Sequence, residues 1–543
     1  RVDPLVARYL DLFPLPNSGL LPGGDTGIFR FSGQHVTSED YFTSRGDHGI
    51  SANDKLSGTY SFDRANTVEP DQLNFKLNGI ETRRRLLSLT ESHVFGANTA
   101  LSSRFGINRV DALTGQTPGA LNPQAADTSL GFVPGLTVGG LNVVGLTGFT
   151  GGLDAPNTFR FNWTSFQWYT DATLKRGRHN IVFGTALERM RDNMFTTNQR
   201  HGVYAFQSLE EFLTDRPFSL NVELSGSSGD RGLRQTMLGS YVQDDVHVSS
   251  SLTLNLGLRY EIVSVPTEVH GRLAALRDVR DPVFHLDQPY ITNPTWRNFE
   301  PRVGLAWSPL AGGRLIVRSG FGIFDVLPLP YEIQSGELLS APFYETGSAT
   351  GLPAGSFPSG AYAISAASRS WLSQACFEPI PKRNYVMQWN GTTQWRLPRG
   401  FNVKVGYVGS RGVHHIFRVK DANMVLPTLT SAGYLWPSPR GSGTRLNPNV
   451  GTITAAFWNG DSHYNAFVLQ VRKQILRGLQ VGGSYTWGKS TDTSSGSVEG
   501  DEYSNAISSP LWFDTRVNRG QSDYDITHSL KVTYSWQLPS PRP

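Results

Sequence analysis

The sequence is nearly without cysteine. Its single thiol, Cys376, excludes an intrachain disulfide and reads as an inert thiol in a loop. It is also poor in charge: 17% of its 543 residues are Asp, Glu, Lys or Arg, low for a soluble enzyme. The net charge of +4 is spread along the chain, with no basic block of the kind that grips nucleic acid. No stretch of about 18 apolar residues occurs, which excludes a transmembrane helix. There is no initiating Met and no secretory leader; the chain opens RVDPLVARYL and is expected to be a fragment. What the chain has instead is 57 Gly, 32 Pro and 11% aromatic residues. That aromatic content is too high for a disordered chain.

The dominant pattern has period two. In NFEPRVGLAWSPLAGGRLIVRSGFGIF (298–324), Phe299, Val303, Leu305 and Trp307 share one parity; Glu300, Arg302, Gly304 and Ala306 share the other. After the turn, Leu315, Val317, Phe321 and Ile323 oppose Arg314, Arg318, Gly320 and Gly322, although Ile316 and Phe324 break the polarity of that face. Alternation across a tight turn predicts a strand pair. The unit recurs at 252–261, 385–407 and 467–487. About sixteen candidate strands follow, many of ten or more residues, against ~5–6 in a typical globular strand.

The connections alternate too. Tight turns are expected near ISAND (50–54), FGAN (95–98), KRGRH (175–179), VSSS (248–251), PLAGG (309–313), LPRG (397–400) and LRG (476–478). Between them lie long polar stretches at 111–156, 196–233, 265–297, 327–382, 411–461 and 490–525. In an up-and-down sheet, alternate links lie at opposite ends, so the short turns share one end and the long loops the other. The expected fold is all-β: an antiparallel up-and-down transmembrane β-barrel with short periplasmic turns and long extracellular loops. A soluble sandwich would also alternate, but here the polar face carries Arg259, Glu261, Arg302, Arg318, Lys404, Gln470 and Arg472, which suits a lumen. A propeller would show one constant repeat of about 40–50 residues, and the hairpins here are unequally spaced. Trp307, Trp395, Trp487 and Tyr260 are placed as interfacial aromatics.

One stretch imitates another function. GSYTWGKS (483–490) matches G-x-x-x-x-G-K-[ST], the phosphate-binding loop. That loop needs a bend followed by a helix N-terminus. Here Tyr485 and Trp487 continue the parity of Leu479 and Val481, so the match is read as strand and no nucleotide is expected.

Several stretches in combination resemble Oar-like TonB-dependent outer-membrane receptors. They are NFEPRVGLAWSP with RLIVRSGFGIF, YVQDDVHVSSSLTLNLGLRYE (241–261), VGYVGSRGVH (405–414), YNAFVLQVRKQILRGLQVGGSYTWGKS (464–490) and DTRVNRGQSDYDITHSLKVTYSWQLP (514–539). The resemblance spans nearly the whole chain. It implies a barrel of about 22 strands, of which about sixteen are here, with an N-terminal plug and often a carboxypeptidase-regulatory-like domain. It implies uptake of a large ligand (an oligosaccharide, a peptide or a metal chelate) across the outer membrane of a Gram-negative-type bacterium, driven by the inner-membrane TonB complex. The alternatives are a structural or adhesive surface protein and a passive porin-like channel. The chain shows no plug and no TonB box. Residues 1–543 are therefore expected to be one barrel domain, truncated at both ends, that meets TonB only through missing segments.

Candidate sites are few. Asp244, Asp245 and His247 suggest a metal, but Asp244 has the opposite parity. Asp523, Asp525 and His528 sit where acids cap turns. No catalytic centre, metal site or cofactor is expected. Trp371, Phe377, Tyr434, Trp436, Trp458, Trp512 and Phe513 fall in long loops, where aromatics stack on flat ligands or on one another. Arg259, Glu261, Arg302, Arg318, Lys404 and Arg472 are the candidate charges facing the lumen or a plug.

Overall fold

The computed structural model describes residues 1–24, 26–145, 152–153, 156–286, 288–368, 374–439, 442–475, 478–495, 511–536 and 538. The alternating runs become fifteen long strands. They are β1 (Val36–Gly49), β2 (Asp54–Pro70), β3 (Lys76–Val94), β4 (Thr99–Pro118), β5 (Phe159–Arg176), β6 (His179–Thr196), β7 (Asp230–Ser249) and β8 (Leu252–Val263), followed by β9 (Phe299–Trp307), β10 (Leu315–Asp325), β11 (Tyr385–Leu397), β12 (Phe401–Val419), β13 (Ile453–Ile475), β14 (Leu479–Asp492) and β15 (His528–Trp536). Each pairs antiparallel with the next in sequence, so the sheet is a pure meander. Short strands from the loops bring the sheet to 20 strands. Among the described residues, β1 pairs with β2 alone and β15 with β14 and no other long strand. No helix among them is long and apolar enough to cross a membrane.

The wall is inside out relative to a soluble sheet. On β8, Leu256 and Leu258 are 48% and 44% exposed, while the Arg259 and Glu261 side chains on the other face are 27% and 14% exposed. Pairing carries the apolar face sideways: Leu256 lies opposite Val303, which lies opposite Phe321, which lies opposite Trp389. A contiguous exposed apolar surface of this size is a lipid contact. Trp307 and Trp395 close it near the short-turn end, and Tyr260 and Phe299 near the other, with their rings 4.9 Å apart. GSYTWGKS lies inside β14 as extended chain.

The tight turns fall where the sequence places them. The link from β5 to β6 is two residues, and Gly177 adopts φ +59 there, which costs a glycine nothing. The expected LRG turn lies largely outside the described residues. At the opposite end the links span 119–158, 197–229, 264–298, 326–384, 420–452 and 493–527; the link at 71–75 is the short one there. The expected loop at 411–461 needs correction, because β12 runs to Val419 and β13 starts at Ile453. The register shifts between Val413 and His415, with His414 at φ +56, and this bulge breaks the alternation on which the sequence reading depends. The loop expected from 111 likewise starts later, since β4 continues to Pro118.

The long loops build cores of their own. Helix α1 (Pro4–Leu10) is started by Asp3, whose Oδ1 accepts from Leu5 N at 2.8 Å, with Pro4 at its first position. Helix α2 (Leu209–Leu213) is started by Ser208, whose Oγ accepts from Glu211 N at 3.1 Å. Val6 and Tyr9 of α1, Phe212 of α2, and Phe132, Tyr204 and Phe357 form one core. A five-stranded sheet of loop segments borders it, in the order Thr346–Thr350, Ser219–Glu223, Val203–Phe206, Gly140–Val143, Gly152–Leu153. A second core joins Met194 and Leu233 of the wall to Tyr290, to Ile333 of helix α3 (Pro330–Glu337), and to Phe377 and Trp458.

This polarity is testable. Leu258→Arg on the outer face should cost about 2–4 kcal/mol in lipid near mid-membrane. Thr486→Arg on the inner face should stay within about 0.5 kcal/mol. Denaturant unfolding of the full-length protein in vesicles would check both; equal losses would show that the two faces do not meet different solvents.

Candidate ligand-binding cap and channel wall

The wall charges come first. By register, Arg259, Glu261, Arg302, Arg318, Lys404 and Arg472 share the inner face. Several have partners two residues along their own strand or on the neighbouring one. Arg259 Nε donates to Glu261 at 2.6 Å, and Arg302 Nη2 donates to Glu300 at 2.6 Å while its guanidinium sits 4.4 Å over the Phe324 ring. Arg318 reaches Gln394 at 3.4 Å. Near the loop end, Arg383 binds both oxygens of Asp325, at 2.7 and 2.9 Å, and the Phe299 carbonyl at 2.7 Å. The bidentate Arg383–Asp325 pair and the single-oxygen pairs of Arg259 and Arg302 hold these charges in fixed directions.

Sequence reasoning missed three features here. Gln235 is fully buried and donates to the carbonyls of Ser264 and Pro328 at 2.8 and 2.9 Å, tying the wall to two loops. Asp192 on β6 is buried, and neither carboxylate oxygen is hydrogen-bonded among the described residues. Asp54, Glu91 and His93 come together at the short-turn end of β2 and β3, with His93 Nδ1 against Asp54. Cross-strand register creates this last group, so residue spacing gives no signal for it.

The two weighed trios do not assemble. Asp244 pairs with His179 Nδ1 at 2.7 Å, Asp245 accepts from Asn255 at 2.6 Å, and His247 meets Thr253 at 3.2 Å. Asp525 caps a turn, accepting from Ser490 N at 2.5 Å and Thr527 at 2.9 Å, while His528 meets Tyr485 at 2.9 Å.

The loop aromatics divide into two groups. Phe377 and Trp458 are each 1% exposed inside the second core, and Trp458 stands on β13 rather than in a loop. Burial of both rings leaves them no face for a ligand. The other group is nearer the surface. Phe457 stacks on Trp512 at 5.0 Å, Trp512 meets Phe513 edge-on at 5.9 Å, and Phe513 meets Tyr434 edge-on at 5.5 Å. Tyr434 Oη donates to Asp514 at 2.9 Å, and Arg516 binds that carboxylate at 2.8 Å and holds it down to about 2. Beside them the hairpin of Thr428–Thr430 and Gly433–Leu435 exposes Leu429, Leu435 and Trp436. Trp371 lies outside the described residues.

A sheet with lipid on one face, ion pairs on the other and a folded cap at one end has few readings. The family model described as an outer membrane beta barrel domain matches residues 1–542. The chain belongs to that family, and it is an outer-membrane β-barrel protein. No curated protein matches it. Among solved structures it is similar to the outer membrane transporter YddB from Escherichia coli, with 11% identity and TM-score 0.51, over 88% of this chain and 50% of that one. It is also similar to the copper transporter OprC, with 10% identity and TM-score 0.48, over 84% and 54%. A third is FpvA of P. aeruginosa bound to pyoverdine–Fe, with 11% identity and TM-score 0.48, over 93% and 53%. The chain thus spans about half the length of these proteins.

Among the cap groups that burial shifts are Cys376 and Glu337. Cys376 sits in the loop strand Gln374–Phe377, and burial pushes its thiol up to about 12, which leaves it protonated and unreactive. Burial pushes Glu337 of α3 up from the usual 4.5 to about 8, against the Ala274 N–H that its Oε2 accepts at 2.9 Å and the nearby Arg231. The folded cap therefore binds this proton more tightly than the unfolded chain does. Its contribution to cap stability is fully present below about pH 4.5 and is lost as pH rises through about 8. Hydrogen exchange of amides in 274–276 and 330–340 should accelerate over that window in the wild type. Glu337→Gln should flatten the dependence; an unchanged slope would assign it to other groups.

Proposed function

We propose that the full-length protein is a TonB-dependent outer-membrane receptor that takes up a large ligand. The observation that carries this reading is the ordered cap, built from loops that join across the chain and stand over an ion-paired inner wall. A simple pore has no need of such a cap. Solved proteins of similar fold transport copper or bind an iron–pyoverdine complex, which supports uptake of a metal chelate; an oligosaccharide or a peptide suits the same aromatic surface. In this reading Tyr434, Trp436, Trp512 and Phe513 meet the ligand, and Phe377 and Trp458 hold the cap that presents them. Arg259, Glu261, Arg302, Arg318, Lys404 and Arg472 face a plug. TonB meets the receptor through that plug and its TonB box, supplied by segments other than residues 1–543, which form one barrel domain. No enzymatic step is assigned to the protein. A second reading, surface adhesion, draws on the exposed Leu429, Leu435 and Trp436 at the hairpin tip.

Growth of a deletion strain on limiting iron chelates, oligosaccharides or peptides separates the two. Loss of growth on one nutrient class, restored by the wild-type gene, is expected. Replacing Tyr434, Trp436 and Phe513 by Ala should weaken uptake about thirtyfold, the effect of removing an interfacial hot spot of ~2 kcal/mol. Uptake intact with loss of cell–cell contact would overturn transport in favour of adhesion.

The sheet edges give a further expectation. In lipid each unpaired backbone group costs several kcal/mol, so the free sides of β1 and β15 need partners. Refolding residues 1–543 alone into lipid should give aggregates or heterogeneous leakage. A uniform, heat-modifiable channel from this chain would show that the fifteen strands close by themselves.

A further inference from the structure

The outer face does not stay apolar to the loop end. Register aligns Gly58, Leu89, Phe105, Trp168, Leu187 and Leu238 across β2–β7, and the five side chains of this row are all exposed. Four residues further toward the long loops, the aligned row on the same face reads Phe62, Arg85, Arg109, Thr164, Arg191 and Arg234. Arg64, Arg83, Arg160 and Arg189 stand one row above or below or at its upper margin, on that face too. The corresponding part of β8–β10 carries Tyr260, Phe299 and Ile323 instead.

Three cross-strand pairs set arginine directly opposite arginine: Arg64 with Arg83, Arg85 with Arg109, and Arg191 with Arg234. Like charges in this position repel and weaken a sheet. The carboxylates on the same face of β1–β7 at this height are Asp40, Glu81, Asp111 and Asp230. Glu81 binds Arg83 at 2.6 Å and Arg64 at 3.1 Å, and Asp111 binds Arg109 at 2.9 Å. Asp230 lies 3.9 Å from Arg272 of the next loop. Glu268 of that loop is taken up by the backbone N–H groups of Gly232, His270 and Arg272. Eight arginines against four carboxylates leave a surplus of four positive charges on this surface. Arg83, Arg85, Arg109 and Arg160 line a cleft of about 300 Å³ together with Glu81 and Asp111.

Depth decides what an arginine surplus can meet here. The long-loop end of such barrels faces outward, so the row lies at the headgroups of the outer leaflet, immediately above side chains that meet acyl chains. Guanidinium groups bind phosphate with two parallel hydrogen bonds, and neighbouring arginines suit a headgroup with more than one phosphate. We propose that this face holds the phosphate groups of a multiply phosphorylated outer-leaflet lipid, whose acyl chains lie along the Leu89–Phe105–Trp168–Leu187 row. The phosphates neutralise the opposed arginines, so the bound lipid stabilises the wall it covers. The inference is independent of what the channel carries.

The test uses the full-length protein in neutral detergent, with lipid A as the probe. Native mass spectrometry and thermal unfolding are followed with diphosphorylated lipid A, with the same lipid after phosphatase treatment, and with inorganic phosphate. Retention and stabilisation are expected with the diphosphorylated lipid, at least tenfold weaker binding with the dephosphorylated one, and no protection from inorganic phosphate. The variant R85Q/R109Q/R191Q removes repulsion and should assemble normally on a heat-modifiability gel while binding lipid A at least tenfold more weakly. Equal binding of both lipids, or unchanged binding by the assembled variant, would overturn the proposal. Protection by inorganic phosphate alone would show a free-anion site and overturn the lipid assignment. Should the variant fail to assemble, the comparison of the two lipids on the wild type still decides.

Discussion

Every peptide group that enters a bilayer must find its hydrogen-bond partner inside the protein, because no water is there to supply one. That constraint produces the meander: each long strand between β1 and β15 pairs with the long strands before and after it, and the long strands reach 23 residues in β13. Once the backbone is satisfied sideways, side chains have two directions left, and alternation assigns them to two solvents. Along the band that meets acyl chains, leucine and aromatic residues take the outside, while charges such as Arg259, Glu261 and Arg302 take the inside. The period-two pattern thus encodes the membrane, and the tight turns at one end follow from strands that must reverse directly.

The loops obey the opposite rule. They fold in water, so their apolar groups turn inward and make cores where Tyr9, Phe132, Tyr204 and Phe357 meet. The chain therefore carries two polarity codes, and the boundary between them is held by named groups. Gln235 donates to loop carbonyls from the wall, and Trp458 N donates its backbone hydrogen to the Glu378 carboxylate at 2.9 Å. At the boundary a strand can outlast the membrane, as β12 and β13 do: beyond the bulge at His414 their side chains join the buried cap cores.

The wall was legible in the sequence because alternation is local: a window of ten residues contains it. Turn positions were legible for the same reason. The cap was not, because its contacts join distant segments. Tyr9 Oη donates to the Leu130 carbonyl 121 residues away, and no window sees both. Candidate loop aromatics were named by type alone, and burial then separated Phe377 and Trp458 from Tyr434, Trp436, Trp512 and Phe513. The bulge at His414 hid the ends of two strands, since one extra residue inverts the parity of everything after it.

The arginines show where a local rule fails usefully. The stretch TRRRLL (82–87) offers three consecutive arginines, so alternation alone gives it no inner or outer face. Pairing register resolves it: Arg84 lies opposite Asp63 on the inner side, while Arg83 and Arg85 lie opposite Arg64 and Phe62 on the outer side. The two sides then treat the same residue type differently. Inside, Arg259 and Arg302 each have a carboxylate two residues along their own strand. Outside, Arg83 and Arg109 have the same arrangement with Glu81 and Asp111, but Arg64 also faces Arg83, Arg85 faces Arg109 and Arg191 faces Arg234. A sheet selected only for its own stability would place acids between those pairs, as it does on the inner face. On the outer face the acids are too few to match the arginines, so the proposed lipid phosphates supply the remaining counter-charge from the surroundings.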